Sequence, residues 1–153
     1  MTAPSSSPGA DSAIASVEGE LSTLLTRFRA AMRSYAEQLH PELSPLGYRI
    51  LSALERRGPL PSGALAELLE MDKSALSRQI SALDRLGFLA RTPDPADGRV
   101  TILAVTERTA ERLREIRSSN RALMHEELRR WDVGDVELFA GLLQRINALD
   151  FGV

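Results

Sequence analysis

Apolar residues recur at every third or fourth position through most of this chain, which is the spacing of a buried helix face. Long patterns of this kind run over residues 14–39 and 107–130, and another begins at Asp132. Shorter patterns cover residues 45–57, opened by Ser44 and Pro45 as cap and first helical residue, and residues 62–69. The spacing therefore predicts a mainly helical protein.

A further helix is predicted after a three-residue break that follows residue 69. It begins at Asp72, whose side chain can accept hydrogen bonds from free backbone N–H groups, and it ends at Gly87. At about 100° per residue, its apolar residues fall on one side and its hydroxyl and guanidinium groups on the other. Two helices joined by so short a break indicate a helix-turn-helix. The apolar side carries Leu76, Ile80 and Leu83, and the polar side, with the first helical residue, carries Lys73, Ser74, Ser77, Arg78, Ser81 and Arg85.

The polar side of this helix has the chemistry of a surface that reads DNA. Short serine hydroxyls let a helix lie deep in the major groove, and arginine can bond both acceptors of guanine. The alternative is an ordinary solvated face with serines at chance positions. The helix-turn-helix context favours a recognition helix.

A β-hairpin is predicted directly after the recognition helix. Residues 88–92 and 99–105 are rich in apolar and β-branched residues, and residues 93–98 consist mostly of turn formers. Arg91 and Arg99 flank the loop base, where a guanidinium can enter a narrow minor groove. Asp97 can instead pair with Arg99 and hold the loop in shape. We therefore predict a wing whose candidate DNA-binding residues are Arg91, Asp97 and Arg99.

The charge of the chain gives only weak support to DNA binding. The net charge is −2 over 153 residues, and residues 72–100 contain five basic and four acidic side chains. Association depends on the local field at the docking face, so the directions of these charges matter more than their sum. We expect modest nonspecific affinity with strong salt sensitivity.

Residues 43–113 resemble the MarR (multiple antibiotic resistance regulator) family of winged-helix transcription regulators. The resemblance implies a mainly α fold with a small β-hairpin wing, built as a winged helix-turn-helix with N- and C-terminal dimerisation helices. It also implies a repressor, because a dimer bound over a promoter blocks polymerase by occupancy. The matching features are Leu60, Leu65 with Ala66, Asp72-Lys73-Ser74, Ser77-Arg78, residues 83–89, Asp97 with Arg99, Leu103 and Thr106.

Three positions depart from the pattern of the family. Pro61 stands where a hydroxyl cap is common, and Gly98 replaces a frequent wing arginine. Glu70 stands where a turn glycine is frequent, and a left-handed backbone there would cost roughly 1 kcal/mol. The departures weaken the predicted affinity of the wing more than the predicted fold.

The chain divides into a tail, a DNA-binding lobe and a helical dimerisation region. Residues 1–12 are rich in Ser, Pro and Gly and are predicted to be disordered, and residues 42–106 form the winged helix-turn-helix lobe. Residues 13–40 and 107–151 carry more apolar surface than that lobe can cover, which predicts a homodimer. Two-fold symmetry then presents two recognition helices to a pseudo-palindromic operator. The alternative is a monomer whose terminal helices pack on their own core.

The resemblance further implies regulation by a small aromatic or lipophilic anion, bound near the junction of the dimerisation helices and the DNA-binding lobe. Such a ligand lowers DNA affinity only if it prefers a lobe spacing that does not match the groove. Candidate residues are Tyr35, His40, Tyr48 and Arg49. Alternatively, the two tyrosines belong to the core and Arg49 is a surface or interface charge.

Composition argues against several other classes of protein. The chain has no Cys, which excludes disulfides and thiolate metal sites, and neither of its two His has a catalytic or metal-binding spacing. No apolar run approaches the ~20 residues of a membrane span, and the first residues lack the apolar core of a secretion signal. We expect a cytoplasmic protein that binds double-stranded DNA, with no enzyme activity, cofactor, metal or membrane partner. The alternative function is a winged-helix module that binds another protein.

Overall fold

The computed structural model describes residues 8–149, and their secondary structure is mainly helical with one small sheet. The predicted fold class is thereby confirmed. The chain forms two compact units that divide between Leu113 and Arg114, inside the fifth helix. The elements are α1 (Pro8–Leu39), α2 (Pro45–Arg57), β1 (Leu60–Pro61), α3 (Ser62–Leu69), α4 (Lys73–Arg85), β2 (Leu89–Pro93), β3 (Thr101–Val105), α5 (Glu107–Leu128) and α6 (Val133–Asn147).

The first helix begins earlier than the sequence predicts. Residues 8–12, assigned above to a disordered tail, belong to α1, so the predicted boundary is wrong for them. Proline is tolerated in a first helical turn because its missing N–H has no partner there, and Asp11 favours the positive N-terminal end of the helix. Residues 1–7 and 150–153, which include the remaining tail and the predicted end of the dimerisation region, lie outside the described residues.

The core of the first unit lies between α2, α3, α4 and β3. Leucine and isoleucine side chains from these helices and this strand are buried, and burial of each contributes about 1.5–3 kcal/mol. The apolar stripe predicted for α2 faces this core, although its first residue, Leu46, is only half-buried. The largest fully buried side chains of these elements are Ile50, Leu51, Leu54, Leu65, Leu76, Leu83 and Leu103.

The predicted hairpin is present, and a third strand joins it. The sheet has the order β1-β3-β2, with both pairs antiparallel. Leu103 of β3 pairs with Leu60 on one side and with Arg91 on the other. The backbone N–H of Thr106 donates to the carbonyl of Phe88 at 3.0 Å and closes the base of the hairpin. The strand β1 was not predicted, because two residues carry no readable period.

Two helices of the first unit end in the same backbone motif. At the end of α3, the N–H of Met71 donates to the Ala66 carbonyl at 2.9 Å, and the N–H of Glu70 donates to the Glu67 carbonyl at 3.2 Å. This is a Schellman motif. The first of its two donor residues, here Glu70, adopts a left-handed backbone in such motifs and is usually glycine. Glu70 has φ 53° and ψ 45°, so the left-handed conformation considered from the sequence is confirmed.

The second motif of this kind ends α4. The N–H of Phe88 donates to the Leu83 carbonyl at 3.1 Å, and the N–H of Gly87 donates to the Asp84 carbonyl at 2.9 Å. Gly87 has φ 72°, which glycine adopts without steric cost. The chain therefore contains one motif with the favoured residue and one without it.

The second unit consists of the later part of α5 and of α6. Asp132 immediately precedes α6, as predicted, and its side chain makes no capping hydrogen bond. The rings of Trp131 and Phe139 pack with centroids 5.8 Å apart and a 60° angle between their planes. No residue of α6 between Val133 and Asn147 is buried.

Candidate nucleic-acid interface

The start of α4 is fixed by its N-cap residue, Asp72. Carboxylate oxygen Oδ1 accepts hydrogen bonds from the backbone N–H of Ser74 at 2.8 Å and of Ala75 at 2.9 Å. It also accepts the Ser74 hydroxyl at 2.6 Å. These bonds, the hydroxyl of Ser74 first among them, hold the pKa of Asp72 below its ordinary value, and the positive charge of Arg78 acts in the same direction. Asp72 is therefore an ionised helix cap.

The helix α4 places its apolar and polar sides as the sequence predicts. Leu76, Ile80 and Leu83 are each at least 95% buried against the rest of the first unit. The opposite side is open to solvent, because the apolar residues anchor the helix in one rotational setting. All six predicted recognition residues are exposed, namely Lys73, Ser74, Ser77, Arg78, Ser81 and Arg85.

The three serines of this side differ in what their hydroxyl groups can offer. The Ser74 hydroxyl donates to Asp72, and the Ser81 hydroxyl donates to the Ser77 carbonyl at 3.0 Å. In this arrangement both hydroxyls present lone pairs, which are acceptors, toward solvent. The Ser77 hydroxyl has no hydrogen-bond partner among residues 8–149, so it can donate or accept.

A contact between α2 and α4 was missed by the sequence reasoning. The Ser44 side chain caps α2 by accepting the N–H of Gly47 at 2.9 Å, as its place before Pro45 suggested. The same hydroxyl donates to Oε1 of Gln79 at 3.2 Å. Gln79 lies at the edge of the apolar side of α4 and is half-buried. A polar residue at the edge of an apolar stripe was the one available signal for this contact.

In the wing, Arg91 forms an ion pair with Asp84 of α4. Their side chains are 46% and 31% exposed, respectively. The pair joins β2 to the last turn of the recognition helix. Arg91 therefore does not present the unpaired guanidinium that the sequence suggested, because its charge is balanced by the carboxylate beside it.

Asp97 and Arg99 interact through the backbone of the loop. The carboxylate of Asp97 accepts the backbone N–H of Arg99 at 3.0 Å, and Asp94 likewise accepts the N–H of Ala96 at 2.8 Å. Both are turn-forming bonds of the kind Asp side chains make in loops. The guanidinium of Arg99 is exposed and has no ion-pair partner within residues 8–149. Asp97 thus shapes the loop through the backbone of Arg99 and not through the ion pair considered as an alternative, so the charge of Arg99 stays available.

The predicted effector residues are only partly brought together. Tyr35 of α1 and Tyr48 of α2 have ring centroids 5.9 Å apart, with a tilt of 49°. Tyr48 is buried and Tyr35 is half-buried. The ring contact and the burial of Tyr48 agree with a core role for Tyr48, whereas Tyr35 stays partly accessible.

The other two effector candidates make separate contacts. His40 packs edge-on against Phe88 at 5.9 Å, and its Nδ1 accepts the backbone N–H of Glu42 at 3.1 Å. Arg49 is exposed, and its Nη2 donates to the Leu69 carbonyl at the end of α3, at 3.4 Å. The side chain of Arg49 therefore reaches toward α3, whereas the two tyrosines join α1 to α2.

Residues 8–149 contain neither a metal-binding cluster nor a helix able to span a membrane. Within residues 8–149, no group of three His, Cys, Asp or Glu side chains is arranged to hold a metal ion. None of the helices between Pro8 and Asn147 combines the length and apolarity required to cross a membrane.

Similar proteins are known for nearly the whole length of the chain. A sequence profile of the MarR family matches residues 42–100. The uncharacterised HTH-type transcriptional regulator YxaD of Bacillus subtilis (strain 168) is 32% identical over 131 residues, covering 86% of this chain and 90% of YxaD.

Two solved structures have the same fold at low identity. Streptococcus pneumoniae FabT in complex with DNA has a TM-score of 0.78 and 11% identity, covering 88% of this chain and 94% of FabT. A mutant of MarR from E. coli complexed with operator DNA has a TM-score of 0.60 and 20% identity, covering 84% of this chain and 91% of that one. The match to the family profile and to YxaD, together with the winged helix-turn-helix fold, shows that the chain belongs to the MarR family.

Proposed function

We propose that this protein is a homodimeric transcriptional regulator that binds double-stranded DNA at a pseudo-palindromic operator and represses transcription. The observation that carries the proposal is the exposed hydroxyl and guanidinium side of α4, which the buried residues Leu76, Ile80 and Leu83 hold outward. Membership of a family of transcription regulators supports it, as do the DNA-bound structures of FabT and MarR.

Five of the exposed side chains of the interface have a proposed role. Arg78 and Arg85 are suited to guanine and Ser77 to either a donor or an acceptor of a base, because α4 is free to enter a major groove. Lys73, at the helix start, is suited to a phosphate. Arg99 in the wing loop is suited to a minor groove, where its charge meets the negative potential.

The charges of the interface are distributed in favour of DNA binding, although its basic residues exceed its acidic ones by only one. Asp84 is paired with Arg91, while Asp72, Asp94 and Asp97 accept backbone N–H groups. The four remaining cations have no ion-pair partner among residues 8–149. Their exposed groups can therefore reach a phosphate backbone. These cations are Lys73, Arg78, Arg85 and Arg99.

Exposed apolar side chains support the homodimer. Along α1, five large apolar residues are at least half exposed, which is unusual for a helix of a monomer. In the second unit, five more are over half exposed, and α6 buries none of its residues. A second copy would remove these surfaces from water. The residues concerned are Ile14, Val17, Leu24, Leu25 and Phe28 in α1 and Leu123, Met124, Val133, Leu138 and Leu149 in the second unit.

Regulation by a small aromatic or anionic ligand remains part of the proposal. Tyr35, His40 and Tyr48 lie where α1 meets the elements that carry the DNA-reading surface, and each offers an aromatic ring. A ligand there acts on DNA binding only if it favours one position of that surface over another. Calorimetry with a panel of phenolic acids tests this part separately.

The experiment that tests the DNA-binding proposal compares two charge-matched double variants. An operator is first selected from randomised DNA at a stated salt concentration, and binding is then followed by fluorescence anisotropy. We expect Arg78→Ala with Arg99→Ala to lose operator binding, and Arg33→Ala with Arg108→Ala, which removes the same charge elsewhere, to retain it. Light scattering should give the mass of two chains for every variant.

Unchanged DNA affinity in the Arg78 and Arg99 variant would contradict DNA reading by this surface. It would favour a winged-helix module that binds another protein. A mass of one chain at micromolar concentration would contradict the homodimer.

A further inference from the structure

A cleft is lined by residues of α2 and α3. It has a volume of about 530 Å³, within the ~300–1,000 Å³ typical of small-molecule sites. We call it the arginine cleft. Its lining consists of Arg49, Ala53, Arg56 and Arg57 from α2 and Leu68 and Leu69 from α3.

The three guanidinium groups of the arginine cleft are open to a ligand. Arg57 has no hydrogen-bond or ion-pair partner in the described part of the chain. Arg56 uses only Nε, which donates to the Ser52 carbonyl of its own helix at 3.2 Å. Arg49 uses only Nη2, in its long bond to the Leu69 carbonyl. No carboxylate lines the cleft among residues 8–149.

Helix stabilisation explains only part of this arrangement. Arg56 and Arg57 lie in the last turn of α2, where positive charge favours the negative end of the helix. That effect does not require Arg49, which lies two turns earlier, nor does it require Leu68, which remains 39% exposed beside the guanidinium groups. Three like charges on one concave wall also focus a positive field that attracts anions.

We infer that the arginine cleft binds a small amphipathic anion, with a carboxylate or phosphate head and an apolar body. A planar guanidinium donates two parallel hydrogen bonds to either head group. The exposed side chain of Leu68 provides apolar surface for the body of the ligand, beside the nearly buried Ala53 and Leu69. The site is distinct from the tyrosine pair joining α1 and α2, and it does not depend on the DNA-binding proposal.

Calorimetry of the full chain with phenyl phosphate tests this inference, with inorganic phosphate and phenol as half-ligands. We expect phenyl phosphate to bind more tightly than either half. Arg56→Gln with Arg57→Gln should weaken binding about tenfold or more, since each charged hydrogen bond is worth about 1.5–3 kcal/mol. Leu68→Ser should weaken phenyl phosphate and leave inorganic phosphate unchanged. The charge-matched control, Arg33→Gln with Arg108→Gln, should bind as the wild type does.

Three results would overturn the inference. One is the absence of heat with phenyl phosphate in the wild type. Another is equal weakening in the cleft variant and the control, which indicates nonspecific attraction to a positive surface. The third is that the wild type does not bind phenyl phosphate while the cleft variant loses operator affinity. Those two results together would indicate that the arginines contact DNA phosphates. Circular dichroism verifies that each variant is folded.

Discussion

The two Schellman motifs allow the cost of a left-handed backbone to be measured in one chain, by removing a Cβ at one motif and adding a Cβ at the other. Glu70 and Gly87 occupy the same position of the motif at the ends of α3 and α4, with φ of 53° and 72°. A residue with a Cβ pays about 1–2 kcal/mol in this conformation, and glycine does not. Glycine loses about 0.4–1 kcal/mol through the greater freedom of the unfolded chain. From this difference, Glu70→Gly should raise the free energy of unfolding by about 0.5–1 kcal/mol.

The opposite substitution, Gly87→Ala, should destabilise the protein by a similar amount. A Cβ at Gly87 would meet no heavy atom within 4 Å, so the cost comes from the backbone alone. Glu70→Ala serves as the control, because it removes the same side-chain charge as Glu70→Gly but keeps the Cβ. We expect it to match the wild type more closely than the glycine variant does.

Urea unfolding followed by far-UV circular dichroism measures these differences. All variants are compared at one protomer concentration, because association couples to stability. In thermal unfolding, the expected shift is about 1–4 °C for a chain of this size. If Glu70→Gly is no more stable than Glu70→Ala, the left-handed backbone at Glu70 stores no strain and the reasoning fails.

Three further predictions concern the start of α2 and both ends of α4. Ser44→Ala removes both the α2 cap and the bond to Gln79, so it should lower the free energy of unfolding in urea by about 1 kcal/mol, and no loss would contradict the cap. Asp84→Asn releases Arg91 from its ion pair and should change the free energy of unfolding by under ~1 kcal/mol. If the freed Arg91 reaches a phosphate, the slope of log DNA affinity against log salt concentration should steepen by about one. An unchanged slope would mean that Arg91 does not reach DNA. Because hydrogen bonds lower the pKa of Asp72 in the folded chain, the stability it contributes is present above the ordinary carboxyl range and is lost as pH falls through the lowered value. The urea midpoint of the wild type should therefore fall relative to that of Asp72→Asn as pH drops below about 4, and parallel curves would contradict this.

The elements that hold the recognition surface could be predicted because they depend on local rules. The orientation of α4 follows from helical spacing, since burying Leu76 and Leu83 forces Ser77 and Arg78 outward. The wing follows from turn formers between two apolar segments, and the left-handed Glu70 follows from its place at the end of α3.

The contacts that could not be predicted join residues on different structural elements. No rule of sequence spacing indicates that such residues meet. Arg91 and Asp84 lie on a strand and a helix, so only the packing of the wing against α4 shows that they meet. Ser44 and Gln79 are joined in the same way. The start of α1 was misjudged because Ser, Pro and Gly suggest disorder, although a long helix can extend through such residues from its apolar part.

Base-pair preferences of the Arg78→Ala variant test the central claim most directly. DNA selected from randomised sequence by the wild type should show two symmetry-related half-sites about one helical turn (~34 Å) apart. Selection with Arg78→Ala, at the same salt concentration, should relax the preference at one symmetry-related pair of positions and keep the rest, since one bidentate contact discriminates by about 1–3 kcal/mol. An identical motif from both proteins would contradict the claim that the exposed side of α4 reads DNA.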